Sequence, residues 1–247
     1  MLTYHVLKRT NEIDGEHMSN YEQNIVIDLE FTPVNPKYRT GHFCFEIIQI
    51  GAVRVDQNGK LLDSFTSFVK PEFTDRVTRK VQKLTGIRTC DVTGAESLAE
   101  VLKQFRAWVG NAKTRFVAWS NSDLRQLVVE TKTKEISFSE KNNRWLDLQK
   151  IYPRFMEVDN GRQMALRIAA NWYGIEASSQ DLHGALYDAT LTAELLSSLM
   201  TNDYLLQKSM IAKAMPSSSQ AEPMTFSVGE KFSALLQLKT ELNAAAV

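Results

Sequence analysis

The run "IVIDLEF" at residues 25–31 sets two acids, Asp28 and Glu30, in an otherwise apolar stretch. Side chains two apart on a strand share a face, so these carboxylates project together while Ile27 and Leu29 point the other way. Two ionised carboxylates side by side repel, and in an apolar setting the pair persists only with a proton or a cation between them. An all-oxygen donor set without histidine or cysteine suits a hard ion such as magnesium or manganese. The alternative is a solvated edge strand on which the pair does no chemistry. The same spacing recurs in "DGE" at residues 14–16, a polar context that carries no such implication.

Two later segments supply partners. "SNSDLRQL" places Asp123 at the start of a predicted helix, where an acid also serves as an ordinary N-terminal charge or cap. "HGALYDA" sets His183 five residues before Asp188, and Asp188 sits among Ala185, Leu186 and Ala189 on an early turn of the last long predicted helix. Four converging carboxylates can hold two divalent ions about 3.5 to 4 Å apart, which stabilises both the attacking and the leaving oxygen of an in-line phosphoryl displacement. A histidine beside them, with an unperturbed pKa of about 6.5, can take the proton of the attacking water. Metal ligands plus a general base make a phosphodiesterase.

Such residues need a scaffold, and the hydropathy pattern supplies one. "NIVIDLEFT" has the β-branched and aromatic density of a strand, and "FEIIQIGAVRVDQNGKLLDSFTSFVKP" holds two more, joined across Asn58 and Gly59. Helical spacing follows in "DRVTRKVQKLTGI" and "GAESLAEVLKQFRAWVG", the second stopping at Gly110. "TRFVAW" reads as a fourth strand before the helical "NSDLRQLVVETK", and "RWLDLQ" as a fifth before "LQKIYPRFM" and "RQMALRIAANWYGI", which ends near Gly174. "GALYDATLTAELLSSLM" is the last long helix. Strands first and strand–helix alternation afterwards imply an α/β fold, a five-stranded mixed sheet flanked by helices.

Taken in order, "DLE", "SDLRQL" and "HGALYDA" resemble the three motifs of the DEDDh, or DnaQ-like, 3′-5′ exonucleases. The resemblance runs over residues 24–200, and "FVKP" with "LTGI" is most similar to the branch of histone-mRNA and small-RNA exonucleases and their bacterial relatives. It implies a ribonuclease H-like fold and a site holding two ions, Mg2+ or Mn2+. Asp28, Glu30 and Asp188 would be direct ligands, Asp123 would complete the metal set, and His183 would be the general base. The partner implied is the 3′ end of single-stranded RNA or DNA, and the product a nucleoside 5′-monophosphate. Leu29 and Phe31 would pack against the terminal nucleotide, a stacking worth about 1 to 3 kcal/mol per base. Trp119, just before the Asp123 segment, is a third candidate for that contact, and Phe31 and Trp119 also read as core residues. Two other functions share these residues: degradation of very short oligonucleotides, and a non-catalytic nucleic-acid-binding subunit.

Bulk properties bound these readings. In 247 residues lysine plus arginine equals aspartate plus glutamate at 29 each, so no broad positive field is available to hold a long duplex and any nucleic acid is gripped locally. Cys44 and Cys90 lack metal-site spacing and read as small buried or half-buried residues. No apolar run reaches the roughly 18 to 20 residues that span a bilayer, and the N-terminal stretch lacks a secretory signal, so a cytoplasmic protein without a membrane partner is expected. Residues 1–23 form a polar lead-in, 24–205 the exonuclease-like domain, and 206–247 a linker with an amphipathic helix. Asp147 and Asp181 are assigned to capping or turns, and Lys141, Arg144, Lys150 and Arg154 to a solvated face.

Overall fold

β-Branched and aromatic residues crowd into five segments, and these form one sheet in the order β3-β2-β1-β4-β5. The computed structural model describes residues 21–137, 144–155, 163–172, 175 and 184–201. The strands are β1 (Gln23–Pro33), β2 (Phe45–Asp56), β3 (Leu61–Phe68), β4 (Thr114–Ala118) and β5 (Arg144–Asp147). β1 runs antiparallel to β2 and parallel to β4, and β4 runs parallel to β5, so the expected mixed sheet is present. The strand bearing the acidic pair is its middle member, paired along both edges.

The helices are α1 (Arg79–Thr85), α2 (Thr89–Thr93), α3 (Leu98–Val109), α4 (Asn121–Thr133), α5 (Leu148–Phe155), α6 (Leu166–Trp172) and α7 (Ala185–Thr201). One face of the sheet, through Ile25, Ile27, Leu29 and Phe31 of β1, packs against Leu98, Leu102 and Phe105 of α3 and Leu127 of α4. The other face, through Val26, Val53 and Val117, packs against Ala189, Ala193 and Leu196 of α7. The strict alternation along β1 therefore sends Asp28 and Glu30 to the α7 side.

Two helices are shorter than their hydrophobic spacing suggests. α1 begins only after Thr78, whose hydroxyl accepts from Val81 N, and ends at Gly86, which takes the left-handed conformation (φ +74°) that a side chain would resist. α3 begins after Ser97, whose hydroxyl accepts from Glu100 N, so residues 94–97 are not helical. The five-residue α2 was not legible at all, since it is shorter than two turns of hydrophobic period. Cys90 lies on it and is exposed, correcting the expectation of a buried or half-buried thiol; Cys44 is half-buried as expected. Asp147 does cap α5, accepting from Lys150 N at 3.3 Å. Asp181, Lys141, the lead-in at 1–20 and the segment 206–247 lie outside the described residues. No described helix is long and apolar enough to cross a membrane.

α4 is tied to β2 by charges that the interior encloses. Lys134, at the C-terminal end of α4, meets Glu130 at 2.9 Å, Glu46 at 3.0 Å and the outer Glu72 at 3.2 Å. Glu46 also accepts from the backbone N–H groups of Glu72 and Phe73, and Glu130 from Ile47 N at 2.7 Å and from Gln126. One ammonium cannot neutralise two buried carboxylates. Burial pushes the Glu130 carboxyl up to about 7, outweighing Lys134 and the hydrogen-bond donors that favour its charge. Between about pH 4.5 and 7 the folded protein thus holds a proton on Glu130 that the unfolded chain, titrating near 4.5, has released. The stability this contributes is full below about pH 4.5 and is lost as the pH rises through about 7. Urea titrations over this window are expected to show wild-type unfolding free energy falling relative to that of Glu130→Gln, which cannot titrate. Lys134→Met, leaving two enclosed carboxylates without a cation, is expected to cost about 3 to 5 kcal/mol in the same titrations.

Candidate active site

Asp28 is 8% and Glu30 2% exposed, so the solvated edge-strand alternative is excluded. Asp188, on the first turn of α7 and 5% exposed, comes down on the same face. One ligand oxygen from each of the three acids lies within 4.8 Å of the others. Three buried carboxylates this close repel, and their oxygens form a hard donor set that fits a divalent cation.

What brings α7 over β1 is found on β2. In the antiparallel ladder Asp28 stands opposite Gly51, and Glu30 opposite Gln49. A Cβ built on Gly51 would overlap the backbone of Ala185 and Leu186, so the missing side chain is the space in which the N-terminus of α7 lies. Gln49 Oε1 accepts from Ala185 N at 3.1 Å, satisfying one of the unpaired N–H groups at the start of that helix. Just beyond, the register slips between Glu30 and Phe31, and the extra residue on β2, Ile48, turns into a small cluster with Val77, Val81, Ile87 and Val92. The two residues facing the acidic pair are thus the two that seat the helix carrying the third acid.

Asp123 reaches the site from the opposite edge of β1. The β1–β4 ladder ends at Val26 and Val117, so the N–H of Leu29 has no partner strand beside it. Asp123 Oδ1 accepts that N–H at 3.0 Å, and Ser122 Oγ lies 3.4 Å from Oδ2. The helix cap is Ser120 rather than Asp123, which is buried at 5% exposure. Asp123 is therefore fixed to the backbone between the two acids of β1, adjacent to the three-acid cluster and not a member of it.

His183 lies outside the described residues. α7 opens at Ala185, Asp188 N donating to Gly184 O at 3.0 Å. The three residues expected to touch a nucleotide are placed in the core. Leu29 is wholly buried, so its side chain offers no surface to a base; Phe31 shares its cluster and retains 8% exposure. Trp119, also 8% exposed, donates its indole N–H to Met164 O at 3.1 Å and packs against Tyr152. Gln49 and Gly51 were missed by sequence reasoning, although a polar residue and a glycine inside the apolar run "EIIQIG" are the marks of a close approach.

A family profile described as Exonuclease (RNase_T) matches residues 25–196. The chain belongs to this exonuclease family. Its match takes in Asp28, Glu30, Asp123 and Asp188, and the family's hydrolytic chemistry agrees with a cluster of buried carboxylates. The chain is 30% identical over 169 residues to a PolC-type DNA polymerase III of Staphylococcus epidermidis, covering 68% of this chain and 11% of that protein. It is also 30% identical over 200 residues to ERI1 exoribonuclease 2 of Danio rerio, covering 72% of this chain and 35% of that protein. The chain thus spans only a minor part of the length of these relatives. Among solved structures, the nuclease domain of 3′hExo, a DEDDh family member bound to rAMP, superposes with a TM-score of 0.65 at 21% identity, covering 74% of this chain and 94% of that one. Cell-death related nuclease 4 superposes with a TM-score of 0.61 at 21% identity, covering 76% and 66%. These likenesses establish the exonuclease, ribonuclease H-like fold.

Because the acids are held by backbone seats, perturbing a seat is expected to perturb ion binding. Saturating Mn2+ should raise the melting temperature of the wild-type protein, by about 2.7 kcal/mol of stabilisation at a hundredfold excess over the dissociation constant. Asp188→Asn should remove most of that rise. Gly51→Ala should cost about 1 to 3 kcal/mol of overpacking without Mn2+ and weaken the Mn2+ response as well, read by thermal melts with and without the ion.

Proposed function

We propose that this chain is a metal-dependent 3′-5′ exonuclease that hydrolyses phosphodiester bonds at the 3′ end of single-stranded RNA or DNA. The observation that carries the reading is the burial of Asp28, Glu30 and Asp188 with their oxygens within 4.8 Å, a hard donor set that fits a divalent cation. Family membership and the 3′-exonuclease fold support it.

Asp28, Glu30 and Asp188 would hold two divalent ions, Mg2+ or Mn2+, with Asp123 completing the set. When bound, such a pair supplies Lewis-acid polarisation of the phosphate and stabilises charge on the attacking and leaving oxygens. His183 takes a proton from the attacking water. The water oxygen then bonds to phosphorus as the bond to the 3′-oxygen breaks, and the 3′-oxygen acquires a proton. The products are a nucleoside 5′-monophosphate and a strand shortened at its new 3′-hydroxyl. Asp123 holds the backbone between the two acids of β1 and so keeps their spacing. Leu29 has no surface left to offer the terminal base, and Phe31 and Trp119 keep only 8% exposure each.

The test is mononucleotide release from a 3′-labelled single strand with Mg2+ or Mn2+, on RNA and DNA in parallel. No release with either ion on either strand overturns the proposal. Asp28→Ala is expected to abolish release, and His183→Ala to lower kcat by a factor of about 10² to 10⁴ at neutral pH. Full activity of the histidine variant would remove His183 from its role.

A further inference from the structure

Past the acids, β1 runs on through Thr32 and Pro33 into a cleft of about 360 Å³ that the reaction itself does not use. Val34, Asn35 and Arg39 line one side of it, and Thr74, Asp75 and Arg76 another. Pro33 is three residue steps along the strand from Glu30, which places the cleft about 10 Å from the acids. Alternation along the chain gives Val34 the same parity as Asp28 and Glu30.

The cleft is built. Asn35 N donates to Phe73 O at 3.0 Å, Thr74 Oγ1 to Pro33 O at 2.9 Å, and Arg39 Nε to Val34 O at 3.0 Å, so its walls are fastened to one another before any ligand arrives. Tyr38, in the chain between the lining residues Pro36 and Arg39, is 44% exposed, one of the few large apolar residues so exposed among the described residues. The ring of Tyr38 is held edge-on against Phe73 at 5.5 Å, with Lys37 Nζ 4.6 Å from its centre. The charge here departs from that of the chain. Acids and bases balance at 29 each overall, yet residues 34–42 and 74–83 together carry six basic side chains against the single acid Asp75. Arg76 is exposed and makes no ion pair among the described residues, while Asp75 accepts from Asn35 Nδ2 at 3.4 Å.

A fixed cleft with a guanidinium unpaired among the described residues, a basic surround and an exposed ring nearby has the chemistry that grips single-stranded nucleic acid, cations for phosphates and an aromatic face for a base. We propose that the cleft between residues 33–39 and 74–78 holds the phosphates of a single-stranded nucleic acid upstream of its 3′ terminus, with Tyr38 stacking on a base. This rests on the exonuclease reading for the direction of the strand. Arg76 and Tyr38 act there in binding, and neither touches the reacting phosphate.

Arg76→Glu, Arg76→Lys and Tyr38→Ala are compared in the full chain on two substrates, a single strand of about 12 nucleotides and the p-nitrophenyl ester of thymidine 5′-phosphate, which has no upstream strand. Binding of the labelled strand is read separately by fluorescence anisotropy over a range of salt. Arg76→Glu and Tyr38→Ala are each expected to weaken strand binding about tenfold, and Arg76→Glu to flatten its salt dependence by about 0.7 in log–log slope. Hydrolysis of the ester should stay at the wild-type rate, and Arg76→Lys should bind the strand nearly as the wild type does. Unchanged strand binding in both Arg76→Glu and Tyr38→Ala overturns the cleft, as does an equal loss on strand and ester. Weakened binding by these variants in a protein whose wild type releases no mononucleotide keeps the cleft and overturns the exonuclease reading instead.

Discussion

Three carboxylates buried within 4.8 Å of one another are a burden on the fold, because like charges repel and taking each ion out of water costs several kcal/mol. They do not hold themselves together. Their proximity is imposed by backbone placed elsewhere, and most of the sheet around them can be understood as the means of imposing it. β1 cannot yield, since it is the middle strand of five, hydrogen-bonded on both edges and covered on both faces by apolar clusters.

The supports converge on β2, which carries no ligand of its own. Along one short run, Glu46 meets Lys134, Ile47 N donates to Glu130, Ile48 bulges into its own cluster, Gln49 accepts the first N–H of α7, and Gly51 leaves room for the backbone of that helix. α4 is consequently held at both ends, to β1 by Asp123 and to β2 by Glu130 and Lys134. α7 is held by a close backbone contact at its N-terminus and by Leu195, Leu196 and Leu199 further along. Two helices thereby each bring an acid to β1, Asp188 into the cluster and Asp123 to the backbone between Asp28 and Glu30.

Charge is distributed to match. The acids are enclosed at the centre, while the basic residues beside the cleft lie at the surface, where counterions and phosphates can reach them. A chain with no net charge can in this way carry a local positive field beside the cleft. The relatives of this chain embed the matched region in longer proteins.

Much of this was open to inspection in the residues alone. The alternation through "IVIDLEF" is a backbone property of any strand, so the shared direction of Asp28 and Glu30 needed no coordinates. The five strands and the long helices followed from hydrophobic period, and the ordered motifs pointed to the exonuclease family that the profile match establishes. What periodicity could not convey was anything that depends on two distant segments touching. Burial of the β1 acids in the middle of the sheet, the service of Asp123 to Leu29 N, the seat of α7 on Gly51 and the Glu46, Glu130 and Lys134 cluster all join residues far apart in the chain. The core placement of Leu29 belongs with them, since a side chain's exposure is settled by whatever packs across from it. Local order along the chain follows from local energies, and the site's geometry follows from contacts that form only once the sheet has closed.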